Sequence, residues 1–287
     1  EKNARGGLLG RKIEVVDRDD HAEAGKAMMI VEDLLLREEV DILSGCLFAQ
    51  ICLAVSEYAE KNNIFHMKWF SHWPDEYKRE SDTSFSTFSG IVQAKAAARH
   101  MAETAADPWV SISPNHAFGL TTVKAFAEAM TEYGKQSFKW RKQFWNNFGK
   151  LDAGSTVNAA KNVDPAYILN TTLASDLVGF IREAEKRGLN KNTQVVSIET
   201  GMPEVLNTLA KATPEGWVVT GYPPEEVNKP EHKQFVTRYR KMFDRLPGWM
   251  SLLGYIHYQF IFAAVEKAQS LDDKALVSAM ENLAIQT

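Results

Sequence analysis

The chain has 287 residues, of which 45% are hydrophobic and 24% charged, the make-up of an ordinary globular protein with room for two lobes. A formal net charge of -4 and a pI near 6.0 give no basic field of the kind that draws nucleic acid or an anionic membrane. No apolar run reaches the roughly 18 residues of a membrane span. Met250 to Val265 comes nearest, but Tyr255, His257, Tyr258 and Gln259 interrupt it, and it reads as a buried helix.

The first element is a turn, "RGGLLG", where Gly6, Gly7 and Gly10 allow backbone angles that other residues resist. "RKIEVV" follows as a β-branched strand, and "DRDDHAEAGKA" supplies cap residues for a helix running through "MMIVEDLLLREE". The alternation continues with strand "VDILSG", helix "FAQICLAVSEYAEKNN", strand "IFHMKWF", loop "SHWPDEYKRESDTS", "FSTF", and helix "IVQAKAAARHMAETAA". Strand "WVSISP" and helix "LTTVKAFAEAMTEYG" come next. The second half reads "TVNAAKNVDP" helix, "AYILNT" strand, "ASDLVGFIREAEKRGL" helix, "TQVVSIET" strand, "EVLNTLAKAT" helix and "GWVVTGYPP" strand, then an almost wholly helical stretch from Pro230 to Leu283. Regular strand and helix alternation predicts an α/β fold with parallel sheets covered on both faces. No low-complexity linker separates the halves, and no repeat of roughly 20 to 50 residues signals a solenoid.

Motifs that carry chemistry are scarce. "GGLLG" lacks the spacing of a dinucleotide-binding turn and precedes its strand, and no Gly-rich loop ends in Gly-Lys-Ser/Thr. There is no nucleophile elbow and no His-Glu-x-x-His. His66 and His72 lack a Cys or carboxylate at ligand spacing, so one packed and one pocket or solvent histidine is the better reading than zinc. Asp17, Asp19 and Asp20 read as helix-capping residues before they read as a cation site. Cys46 and Cys52, six apart near the start of one helix, are expected to point to different sides and leave the redox compartment open. Asn170-Thr171-Thr172 fits a glycosylation sequon at a strand end and carries little weight. The aromatics of "MKWFSHWPDEY" follow a parallel strand, where open α/β sheets bind ligands.

In their order, several segments resemble the type I periplasmic solute-binding proteins of the branched-chain amino acid and amide group. "NARGGLLGRKIEVVDRDDHAEAGKAMMIVEDLLLREEVDILSG" is similar to that family's opening, and "SISPNHAFGLTTVKAFAEAM" to its Pro-Asp-x-x-Tyr-Gly segment. "VDPAYILNTTLASDLVGFIREAEKRGL" and the stretch from Lys229 to Leu283 match its later strand-loop-helix and its return to the first lobe. The resemblance implies two Rossmann-like lobes with a hinged cleft between them. It places residues 1–107 and 223–283 in the first lobe, 108–222 in the second, and 284–287 at the start of a further crossing. It also implies a periplasmic protein whose signal peptide is removed, without cofactor, metal or catalysis, that presents a small solute to an ABC-type permease and has no nucleic-acid partner.

Relative to the family pattern, the usual first strand and helix before Asn3 do not appear, and the chain ends before the last crossing. "AADPWVSISP" and "KLDAGSTVNAAKN" look short, and omitted residues are the expectation. The resemblance assigns the ligand to Phe48, Ala49, Gln50, Ser71, His72, Trp73, Phe118, Thr172, Leu173 and Glu199. Hydroxyls that hold an amino-acid carboxylate in that family are replaced here around Phe48, while Glu199 matches the acidic residue that meets the ligand ammonium. Phe48, Trp73, Phe118 and Leu173 would wall an apolar, partly aromatic pocket with a few polar contacts. A branched-chain or other hydrophobic amino acid and an aromatic carboxylate are the expected solutes, an amide the third. A ligand-sensing regulatory domain of the same fold is the alternative. An enzyme would have only Glu199 and His72 to work with.

Overall fold

The β-branched runs pair into two sheets, both parallel throughout the residues described by this computed structural model, 1–71, 83–104, 107–134 and 137–286. The chain forms two compact units, residues 1–89 with 250–287 and residues 90–249.

In the first unit, β1 (Leu43–Gly45), β2 (His66–Ser71) and β3 (Ser84–Ser89) lie in that order. Helix α1 (Ala24–Leu36) buries Ala27, Val31 and Leu34, a spacing that puts all three on one face. That face packs with Leu43 and with Ile51 and Val55 of α2 (Ala49–Asn62). In a separate cluster, Phe65 and Met67 of the β2 segment pack with Ile261, Ala264 and Val265, which belong to the long helix that begins at Trp249.

The expected strand Arg11–Val16 does not form. From Lys12 to Asp19 the chain forms no helix, strand or turn and makes no backbone-to-backbone hydrogen bond among the described residues. The Asn3 side chain instead meets the Ile13 amide at 2.7 Å and its carbonyl at 2.8 Å. Strand propensity is realised only against a neighbour, and no described strand lies beside this segment. Asp19 and Asp20 do not cap α1 directly; their carboxylates accept from the His21 and Ala22 amides in the turn before it, at 2.7 and 2.8 Å.

The second unit holds α3 (Ile91–Met101), β4 (Trp109–Pro114), α4 (Ala117–Gly134), β5 (Trp140–Asn146), α5 (Ala153–Lys161), β6 (Tyr167–Asn170) and α6 (Ala174–Lys186). It continues with β7 (Gln194–Gly201), α7 (Pro203–Leu209), β8 (Val218–Gly221) and α8 (Pro230–Phe243). The strand order is β5-β4-β6-β7-β8. Strand β4, inside the sheet, is buried along its whole length. On one side Trp109 stacks on Tyr167 at 4.7 Å and packs with Phe126 and Ile198; on the other Val110 and Ile112 meet Val157, Ile168 and Phe180. Helix α3, counted with the first lobe in the sequence division, lays Ala94, Ala97 and Ala98 in the same cluster as Phe126. Strand β5 is not among the expected elements: its exposed Arg141, Lys142 and Gln143 hide the apolar pattern, as befits an edge strand. The chain then passes into α9 (Trp249–Ala268) and α10 (Asp273–Met280). No helix among the described residues is long and apolar enough to cross a membrane.

Asp176, buried in the first turn of α6, accepts from the Asn146 side chain at 3.1 Å and from the amides of Gly149 and Leu151 at 2.8 and 3.1 Å. One carboxylate thus ties the end of β5 and the loop after it to α6. Asp176→Ala strands those donors, and its expected cost is about 2 to 3 kcal/mol. Urea unfolding of the variant beside the parent chain measures it.

Candidate functional site

Open parallel sheets expose their ligand-binding loops at the carboxyl ends of the strands, so each unit is described at that edge. In the first unit β1 ends at Gly45 with φ 128°, a backbone angle suited to glycine. Cys46 follows with φ 73° and turns the chain back over the start of α2. The two cysteines are therefore bonded, with a Cα–Cα separation of 5.2 Å and an S–S distance of 2.15 Å, which corrects the expectation that they point apart. The error lay in giving Cys46 helical geometry: it stands before α2 with a positive φ.

The disulfide encloses Phe48, Ala49 and Gln50. Phe48 is half-buried at the N-cap of α2 and packs in the α1 cluster, Ala49 is buried, and Gln50 is exposed. Closing so short a loop removes chain entropy worth about 2 kcal/mol. Replacing both Cys46 and Cys52 by serine is expected to lower stability by that amount, read from chemical unfolding with the parent compared under oxidising and reducing conditions.

Behind this edge, His257 of α9 bonds two strands at once: Ser44 of β1 at its Nε2 and Thr87 of β3 at its Nδ1, each at 2.7 Å. With the ring neutral, one hydroxyl donates to the unprotonated ring nitrogen and the other accepts from the ring N–H. Burial lowers the His257 pKa to about 4. His66, 3.3 Å from Ser84, is lowered to about 3, first by burial and then by the charge of Lys68.

In the second unit, β4, β6 and β7 are neighbours, and their carboxyl ends carry Phe118, Thr172, Leu173 and Glu199 along one edge. Helix α4 starts hard against β4: a Cβ on Gly119 would stand 2.0 Å from the Pro114 carbonyl oxygen, so the chain can bring Phe118 this close only with glycine beside it. Phe118 is half-buried, its ring 6.3 Å from that of His116. Asn170 donates to Ser197 at 2.9 Å and accepts from the Thr172 hydroxyl at 2.8 Å, while Thr200 donates to Ser197 at 2.8 Å. This buried network locks the ends of β6 and β7 together. It engages the Thr172 hydroxyl internally. Asn170 is fully buried, which sets aside the sequon as a modification site.

Glu199 is half-buried near the end of β7. Its pKa is raised to about 7, first by burial and then by the nearby carboxylate of Glu204 in the first turn of α7. At neutral pH it therefore divides between carboxylate and carboxylic acid, and a cation arriving beside it would favour the charged form. Tyr222, at the end of β8, is also raised by burial and then by Glu204, and its hydroxyl lies 3.1 Å from His232.

Sequence reasoning did not single out three atoms near the same edge. The Ser113 and Thr171 hydroxyls and the Asn146 Oδ1 are buried without a hydrogen-bond partner among the described residues. Buried polar atoms are normally satisfied, so such a group calls for water or a ligand. The one available signal was the polar pair Asn170-Thr171 closing an apolar strand. Ser71 ends β2, with nothing described of its side chain, and His72 and Trp73 lie outside the described residues. Among the described residues no group of three or more His, Cys, Asp or Glu side chains is placed to hold a metal ion.

The family profile described as "Periplasmic binding protein" matches residues 1–287. No curated protein sequence matches. Among solved structures, the chain is similar to a solute-binding protein of an ABC transporter from Rhodopseudomonas palustris BisB5, in complex with 3,4-dihydroxybenzoic acid. The TM-score is 0.84 at 20% identity, covering 97% of this chain and 76% of that one. A leucine-binding protein from Thermotoga maritima gives 0.81 at 22% identity, covering 97% and 79%. An ABC transporter substrate-binding protein from Sphaerobacter thermophilus gives 0.86 at 18% identity, covering 98% and 78%. At these identities the solved structures speak to the fold, and the profile match across the whole chain speaks to descent: the chain belongs to the periplasmic binding protein family.

Proposed function

We propose that this chain is the solute-binding component of an ABC transporter, working outside the cytoplasm. It captures a small hydrophobic amino acid or an aromatic carboxylate and delivers it unchanged to a membrane permease. The family match over residues 1–287 carries this reading. Two features support it. The carboxyl edge of the second sheet combines an ionisable Glu199 with half-buried Phe118 and buried orphan hydroxyls, the mixture of apolar wall and few polar contacts that small-molecule sites use. The Cys46–Cys52 bond is of a kind that persists in oxidising compartments such as the periplasm.

On this reading the residues that meet the solute are Phe48, Ala49, Gln50, Ser71, His72, Trp73, Phe118, Thr172, Leu173 and Glu199. The lobes close on the solute because it binds the closed state more tightly. A ligand of the native state raises the unfolding midpoint. A thermal-shift screen with branched-chain and aromatic amino acids, short amides, and benzoate- and cinnamate-type acids is therefore expected to give hits in one or both of the first and last classes. A flat response across the whole set would defeat the proposal.

A further inference from the structure

Three rings meet at the carboxyl edge of the second sheet. The His116 ring lies 6.3 Å from that of Phe118, tilted against it, and 5.7 Å from that of Phe148, edge-on at 77°. His116 ends the loop after β4, Phe118 lies in the first turn of α4, and Phe148 follows the end of β5. Strands β4 and β5 are neighbours, and the Asn115 amide donates to the Asn146 carbonyl at 2.7 Å, so the backbone joins the two loops that carry the rings.

Phe148 is 45% exposed. An exposed apolar side chain says little by itself, but this one stands on a loop held in one shape. Gly149 takes φ 73°, an angle suited to glycine, and the Lys150 amide closes the turn on the Asn147 carbonyl at 3.0 Å. The buried Asp176 carboxylate accepts from the Asn146 side chain and from the amides of Gly149 and Leu151, so it fixes the chain on both sides of the exposed ring. Binding residues concentrate on loops that a rigid scaffold positions, and a ring ordered in advance loses little freedom when a ligand arrives.

Ring character is what such a cluster reads. Aromatic pairs favour offset or edge-to-face contact at centroid separations of about 4.5 to 7 Å, and beyond area burial each pair is worth about three- to tenfold in affinity. A saturated solute of the same size gains the burial alone. We propose that Phe148, presented together with His116 and Phe118, makes the solute site select a flat aromatic carboxylate over an aliphatic solute of equal size and charge. This inference rests on the solute-binding reading given above and goes further by committing to one of its two solute classes.

Benzoate and cyclohexanecarboxylate carry the same charge and are close in size, and with leucine they are the three probes. Each is titrated calorimetrically into the parent chain, Phe148→Leu and Phe148→Tyr. The parent is expected to bind benzoate at least about threefold more tightly than the saturated acid. Phe148→Leu keeps apolar bulk without a ring; it should weaken benzoate about three- to tenfold and bring the two acids within about twofold of each other. Phe148→Tyr keeps the ring and should keep the preference. The unfolding midpoint of Phe148→Leu should match the parent's, because the ring it replaces already faces water. A parent that binds leucine or the saturated acid as well as benzoate, or better, overturns this inference and leaves the solute reading standing. Equal weakening of every solute in Phe148→Leu would make the ring a general contact and also overturns it. Binding of none of the three would overturn the solute reading and this inference with it.

Discussion

Glu199→Gln is expected to weaken binding of an ammonium-bearing solute by well over tenfold while leaving a purely anionic aromatic acid nearly unaffected. The substitution keeps the shape of the side chain and removes its charge, and charged hydrogen bonds of this kind contribute about 1.5 to 3 kcal/mol. The pH dependence carries the same assignment further. Because burial and Glu204 raise the Glu199 pKa to about 7, protons compete with an ammonium below that pH. Affinity for a hydrophobic amino acid should therefore fall about tenfold per pH unit as pH drops from 7 towards 5, and level off above 7. In Glu199→Gln that slope disappears. Equal losses for both solute classes, or an unchanged slope in the variant, would refute the placement of Glu199 at the solute.

Acid should destabilise the first unit before the second. His66 and His257 are held neutral, with pKa values lowered from 6.5 to about 3 and about 4. In the unfolded chain both take up protons near pH 6.5. Their contribution to stability is thus complete above pH 6.5 and is lost as pH falls towards those lowered values. A tenfold change in proton affinity corresponds to about 1.4 kcal/mol, so His257 alone accounts for about 3 kcal/mol by pH 4. Glu199 works in the opposite direction in the second unit. Its raised pKa means that the folded state gains relative stability as pH falls from 7 towards 4.5. Hydrogen exchange followed from pH 7 to pH 4 should show β1 to β3 losing protection first. His257→Gln should reduce the proton uptake on unfolding at pH 5 by close to one. Simultaneous loss in both units, or no change in proton uptake, would contradict this account of the histidines.

Much of the fold was legible because its strands are buried on both faces and read as continuous apolar runs. "WVSISP", "AYILNT" and "TQVVSIET" became β4, β6 and β7 at nearly their expected positions. Edges were harder. Strand β5 carries Arg141 and Lys142 on exposed positions, so its sequence resembles a charged loop. "RKIEVV" failed for the opposite reason: its composition suits a strand, but pairing depends on a neighbour that local sequence cannot supply. The disulfide was missed because the positive backbone angles of Gly45 and Cys46, which bring Cys46 to Cys52, cannot be read from the spacing of the two cysteines. Glu199 was assigned to the solute through resemblance alone, and its altered ionisation comes from burial beside Glu204, a tertiary fact. The orphan hydroxyls of Ser113 and Thr171 were invisible for the same reason, since only packing reveals that a polar atom lacks a partner.

The central claim is that the chain binds a small organic solute reversibly and returns it unaltered. Titration calorimetry of the purified chain with leucine and with benzoate at about pH 7.5, where Glu199 is mostly charged, followed by mass analysis of the recovered solute, addresses it most directly. The account predicts saturable binding of one solute molecule per chain for at least one of the two, recovered intact. Heat signals absent for both compounds, or a solute recovered chemically changed, would contradict it.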